Sequence, residues 1–374
     1  MRRRGRAFII GIGIMMAAAA LSGCGKKAEE AAVTTEAPTV MPEETKTIVL
    51  ETEPTTEAET EPEGPEERKE VDGKIQSYLT GEMVDVAKAN RRPVAVMMSN
   101  DKASLPQYGI NRADVVYEAP VEGDMNRYMA IFEDYDDIER IGSVRSCRTY
   151  YLLFAKEFEA NYVHFGYSEY AADYLAQPSF YALDGMAYCS FYRTADRVAP
   201  HNAYTSWNGI MDSVAKKGYD TVYPQNFVKP FSFNEEDDKQ IQIAGGETCN
   251  TFYPGYPYNK PWFEYDESTG EYLRFQFDDA QIDAETGEQL SYKNILVKYV
   301  EPDYYENGTP NYKVDGTGAG LFITNGKAVQ VTWKKDSETS GPTKYYYEDG
   351  TEIVLNQGKT YICQVETTQN ITVE

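Results

Sequence analysis

Histidine is nearly missing. The 374 residues hold two, His164 and His201. Chemistry built on several imidazoles is thereby excluded, and no H-E-x-x-H spacing occurs. Cysteine is also sparse. Cys24, Cys147, Cys189, Cys249 and Cys363 include no C-x-x-C pair, which argues against zinc ribbons and dithiol redox motifs. There is no Walker loop, dinucleotide fingerprint or EF-hand loop, so neither cofactor nor metal is expected. No apolar run reaches the roughly 20 residues of a membrane-spanning helix. Positive charge is short as well: 36 Lys and Arg face 60 Asp and Glu, a net charge of -24. Nucleic acid and anionic lipid repel such a chain, which excludes nucleic-acid binding.

The basic residues that are present begin the chain. Arg2, Arg3, Arg4 and Arg6 precede a short apolar run from Ala7 to Ala20, the charged and apolar regions of an export signal. Leu21-Ser22-Gly23-Cys24 follows, the pattern read by lipoprotein signal peptidase. The expectation is a signal peptide over 1–23 and a Cys24 acylated with chains such as palmitate. The chain would then be held to membrane lipid on the extracytoplasmic face of the cell membrane. Residues 25–70 contain 14 Glu, 9 Thr and 5 Pro, and no aromatic side chain occurs from there to Tyr78. Such a segment buries too little apolar surface to offset its ordering entropy. A disordered stalk is therefore expected within 24–82. Without the signal arginines the charge is -28, and the stalk's 14 acids and 5 bases account for -9 of it. The remainder, from Val71 on, is near -19.

The rest predicts two parts: a mixed α/β domain over 83–232, then a β-rich domain over 233–374, an α+β protein overall. Strand-like runs occur at 94–98, 114–120, 127–132 and 161–166. Helices are expected over 148–159, from Ser168 to Leu175, and over 206–217. The last ends in Lys216-Lys217-Gly218, cations in the final turn and a glycine beyond it. After Phe233 short apolar runs at 272–277, 295–300, 321–323, 327–333 and 361–365 alternate with Gly-bearing turns, predicting a sandwich or open barrel. The four cysteines after Cys24 are expected to be buried free thiols, since a body of about 300 residues needs no staple.

Chemistry is concentrated between 112 and 202. Against the acidic background this stretch holds seven arginines, Arg140 and six that are candidates: Arg112, Arg127, Arg145, Arg148, Arg193 and Arg197. Arginine grips carboxylate and phosphate with a planar fork. Arg145 and Arg148 flank a predicted strand end and helix start, where free backbone N–H groups also favour an anion. With Glu118 and Asn202 these are the candidate ligand-binding residues. The competing reading pairs each arginine internally with Asp114, Glu118, Asp124 or Asp184. His164, His201 and Asp184 are the catalytic candidates, His201 as general base.

Several stretches resemble the YerB-like lipoproteins. They are PVAVMMSN at 93–100, ADVVYEAPVEG at 113–123, RYMAIF at 127–132, IGSVRSCR at 141–148, YVHFG at 162–166, Leu183-Asp184-Gly185 and APHNAYTS at 199–206. Asn294-Ile295-Leu296-Val297, Gly326-Lys327 with Trp333, and Gly358-Lys359-Thr360 match that family's second part. Cys147 departs from the pattern, standing where a small residue such as Ala is expected. The resemblance implies an exported two-part lipoprotein and assigns no reaction. Three roles remain open. The protein binds an anionic ligand of the cell envelope, such as a wall polymer; or it is a wall-directed hydrolase or transferase; or it is an assembly factor that binds an envelope protein.

Overall fold

The apolar runs of the first half become strands β1 (Val94–Ser99), β2 (Val115–Pro120), β3 (Asn126–Phe132), β4 (Asn161–His164) and β5 (Ala182–Asp184). The second half supplies β6 (Asn294–Val300), β7 (Gly316–Thr324), β8 (Lys327–Lys335) and β9 (Thr360–Glu366). β1 to β4 are buried almost throughout, and strands covered on both faces read as continuous apolar runs. The structure, a computed structural model, describes residues 68–187, 191–235 and 240–374, which belong to one compact unit. The expected signal peptide, Cys24, the expected stalk up to residue 67 and Cys189 lie outside the described residues.

The nine strands lie in one sheet in the order β8-β7-β6-β9-β2-β3-β1-β4-β5. Glu247–Thr248 and Lys344–Tyr346 both pair with β8 and complete eleven strands. β9 joins the halves of the sequence. It runs parallel to β6, with Tyr361 opposite Ile295, and parallel to β2, with Tyr361 opposite Val116. Strands on either side of residue 232 therefore belong to one hydrogen-bonded sheet. The fold is strand-dominated, with mixed sheets and few helices.

Both faces of the sheet are covered. Helix α1 (Thr149–Glu157) lies on one face, where Phe154 stacks on Tyr117 with ring centroids 4.7 Å apart. Burying a side chain such as Phe154 contributes roughly 1.5–3 kcal/mol. A smaller antiparallel sheet, built on Thr251–Tyr253, Trp262–Asp266 and Glu271–Gln276, covers the other face. There Phe263 meets Tyr361 edge-on at 5.0 Å. Helix α2 (Trp207–Lys217) adds Ile210 and Val214 to the same core. Ser206 Oγ caps α2 by accepting the Gly209 N–H, and Gly218 closes it at φ 65°. Ser168 precedes two short helical turns without capping them through its side chain.

Strand structure is already present ahead of the boundary expected at 82. Lys74–Gln76 pairs antiparallel with Met83–Asp85, and Tyr78 and Leu79 are buried between them. Two large apolar side chains are enough to draw the end of an acidic segment into the core. Cys147, Cys249 and Cys363 are buried free thiols.

Candidate functional site

β1, β4 and β5 run parallel, so Ser99, His164 and Asp184 finish on the same edge of the sheet. β3 runs the other way and starts there, with Arg127 opposite Ser99. Ligands of α/β sheets characteristically sit outside such carboxyl ends. The segment 144–148 crosses this edge. Arg145 N–H donates to Met97, Phe165 N–H donates back to the Arg145 carbonyl, and Val144 N–H donates to Ala203 at 2.7 Å. These bonds lay Arg145 alongside Pro200 and His201, while the Arg148 side chain turns to Glu122 and the Cys147 carbonyl. Arg148 is also the N-cap of α1, and no side chain caps that end.

Most of the predicted arginines converge here, and most lack an acid. Arg127 is buried and donates to the Ser146 carbonyl at 2.6 Å. Burial, then the charges of Arg148 and Arg145, hold its guanidinium down at about 10. Arg145 donates to the Pro200 carbonyl at 3.1 Å. Burial and the charges of Arg148 and Arg193 lower it, against Asp101. Arg193 donates to Asn202 Oδ1 at 2.7 Å, and Arg197 to the Ser104 and Pro106 carbonyls. Among the described residues none of these four forms an ion pair. Arg148 does: Glu122 grips it with both oxygens, at 2.6 and 2.7 Å. That pair outweighs burial, raising Arg148 and lowering Glu122.

Two candidates lie elsewhere. Arg112 contacts Asp137, 3.3 Å away on an exposed face. Glu118 sits between the two sheets with no exposed side-chain surface. Its Oε1 accepts from Asn100, Asn126 and Asn259, and its Oε2 from Arg274 and Tyr361. Five donors on one carboxylate leave no room for a ligand, so Glu118 holds the fold together.

The histidines share no partner among the described residues. His164 is buried against Tyr162, and its Nδ1 donates to the Gly166 carbonyl at 2.9 Å. Burial lowers its pKa. Gly166, at φ 73°, turns that carbonyl toward His164 while its N–H donates to Asp184 at 2.8 Å. Asp184 thus fixes a turn, 3.9 Å from the His164 ring. His201 is half-buried, with Nε2 3.9 Å from Asp101. Burial, Arg145 and Arg197 lower its pKa against Asp101, so it is neutral and adds no repulsion to the arginines at pH 7. No group of three His, Cys, Asp or Glu suited to a metal occurs among the described residues. Asp101, Glu122 and the Ser146 carbonyl escaped the sequence reading. Asp101 was accessible to it, since it follows the end of β1 by two residues.

Comparison with known proteins fits this geometry into a family. Residues 79–220 match the N-terminal domain of DUF3048, described as a protein of unknown function, and residues 252–362 match its C-terminal domain. The chain is 29% identical over 300 residues to YerB of Bacillus subtilis (strain 168), whose name places it among candidate lipoproteins. That alignment spans 77% of this chain and 86% of YerB. The crystal structure of Bacillus subtilis YerB superimposes with a TM-score of 0.70 at 27% identity, covering 80% of this chain and 99% of that one. Among the described residues no helix is long and apolar enough to cross a membrane.

Proposed function

Since the chain belongs to the DUF3048 family of YerB-like proteins, we propose that it is an envelope lipoprotein that binds an anion through its arginine edge. Acylated Cys24 anchors it outside the cell. One observation carries the binding reading. Arg127 is buried without a carboxylate and is further destabilised by two neighbouring cations, in a body of net charge near -19. A buried guanidinium is ordinarily paired. An arriving phosphate or carboxylate group supplies the missing partner, and the uncapped N-terminus of α1 adds backbone donors.

The test uses the full acylated chain in detergent with inorganic phosphate as probe, followed by calorimetry and by the shift in Tm. Phosphate binding weakens at least tenfold in Arg145→Ala and is unchanged in Arg112→Ala. Equal affinities in parent and Arg145→Ala, or no binding to the parent, overturn the reading.

A further inference from the structure

Beside the arginine edge lies a cleft of about 420 Å³, bounded by the β2–β3 turn, the loop around Tyr304 and the turn after β9. Its volume falls within the roughly 300–1,000 Å³ of small-ligand sites. We propose that this cleft binds the uncharged pyranose ring of a glycan whose acidic substituent reaches the arginine edge. The proposal rests on the anion reading above and names the rest of the ligand.

The lining is unlike that of an anion site. Glu122, Asp124 and Glu366 bring carboxylates, and Arg or Lys does not line it. The surplus is of acceptors. Asn126 lines the cleft while only 2% exposed, and its Oδ1 has no hydrogen-bond partner. A buried amide oxygen left unpaired is costly, and a ligand hydroxyl relieves it. The wall also carries a large aromatic surface. Tyr304 is 51% exposed, yet its hydroxyl is tied to Glu366 at 2.8 Å, and the buried Tyr312 shares that carboxylate at 2.6 Å. Next to it Tyr305 stacks on Tyr170 with centroids 3.6 Å apart, which pins the loop. An exposed ring held in one orientation is a stacking platform. A pyranose offers the complement: an apolar C–H face for the ring and a rim of hydroxyls for the acceptors.

A cation is the alternative that three carboxylates raise. Glu122 is neutralised by Arg148, and Glu366 already accepts from two phenols. Asp124 alone is a weak basis for selecting a cation. Glu122 also ties the two surfaces together, because it lines the cleft and grips an arginine of the anion site.

The experiment measures saturation transfer and Kd for N,N′-diacetylchitobiose, with choline and inorganic phosphate as separate probes, on the full acylated chain in detergent. The parent transfers saturation to the sugar ring protons. Tyr304→Ala weakens the disaccharide at least tenfold and leaves phosphate affinity unchanged. Arg145→Ala does the reverse. Tyr304→Phe, which keeps the ring, retains disaccharide binding within threefold. No transfer to the disaccharide, or an unchanged Kd in Tyr304→Ala, overturns the sugar site while phosphate binding still reports on the anion site. Choline bound more tightly than the disaccharide overturns it too.

Discussion

The Arg274 guanidinium and the Glu118 carboxylate lie 2.8 Å apart, and neither side chain has any exposed surface. Glu118 belongs to the first matched family domain and Arg274 to the second. Their bond crosses from the large sheet to the smaller one. Removing one partner of a buried pair costs about 3–5 kcal/mol because the other charge is stranded. Glu118→Gln also turns an N–H toward two donors, Arg274 and Tyr361. It is expected to lose about 3–5 kcal/mol in urea unfolding, in a single transition. Adding Arg274→Met recovers at least 1 kcal/mol of that loss, as a coupled pair requires. Strict additivity of the two changes counts against the coupling, and two separate transitions against one cooperative body.

Local features of this fold were legible and distant ones were not. The α2 boundaries followed from Ser206 and Gly218, because caps and left-handed glycines act within one turn. The Gly-bearing turns held for the same reason: Gly270, Gly287, Gly308 and Gly350 all have positive φ. The strand 361–365 was also visible, extending in the structure from Thr360 to Glu366. Its position between β2 and β6 was not, since parallel pairing across some 245 residues leaves no mark on local periodicity. The same holds at the site. The spacing of Arg145 and Arg148 suggested a shared direction, but the placement of Pro200 beside Arg145 and of Asn202 beside Arg193 depends on tertiary bonds. Glu118 read as a ligand group because its five donors come from separate stretches of chain.

Arg127 separates stability from function. Methionine has similar bulk, and at this position it removes an unpaired buried charge together with its repulsion by Arg145 and Arg148. It also forfeits the bond to the Ser146 carbonyl. These effects nearly cancel, so Arg127→Met is expected to unfold within about 1 kcal/mol of the parent. Phosphate, which raises the Tm of the parent, is expected to leave that of the variant unmoved. A stability loss above about 2 kcal/mol would make Arg127 a strut of the fold and not a ligand group.

The proposed anchor depends on one atom, the Cys24 sulfur. Cells fed labelled palmitate are expected to mark the parent and not Cys24→Ser, and the variant retains its unprocessed N-terminus. Two or three acyl chains hold a protein at the membrane, at roughly 0.8 kcal/mol for each buried methylene. The acidic body has no electrostatic means of doing so. Label in the Cys24→Ser protein equal to the parent's would remove the lipoprotein reading and with it the compartment in which the arginine edge is proposed to work.

Asp114 predicts how stability depends on pH. Burial and the charge of Glu133 push its carboxyl up to about 8, from 3.8 when unperturbed. Below pH 4 the group is protonated in both folded and unfolded chains and contributes its full stability. Between about 4 and 8 the unfolded chain releases the proton and the folded chain keeps it, so stability falls as pH rises, and above 8 it levels off. Asparagine cannot ionise, and its side-chain oxygen still accepts the Glu133 N–H, which meets Asp114 Oδ2 at 2.6 Å. Asp114→Asn is therefore expected to be more stable than the parent by up to about 5 kcal/mol at pH 8, with the gap closing to under about 1 kcal/mol at pH 4. Glu133 is raised in the same direction by its own burial, and because its charge acts on Asp114 the gap also includes the relief of that repulsion. Urea titrations at the two pH values measure the gap directly. A gap that is the same at pH 4 and pH 8 would mean that Asp114 ionises in the folded chain as freely as in the unfolded one.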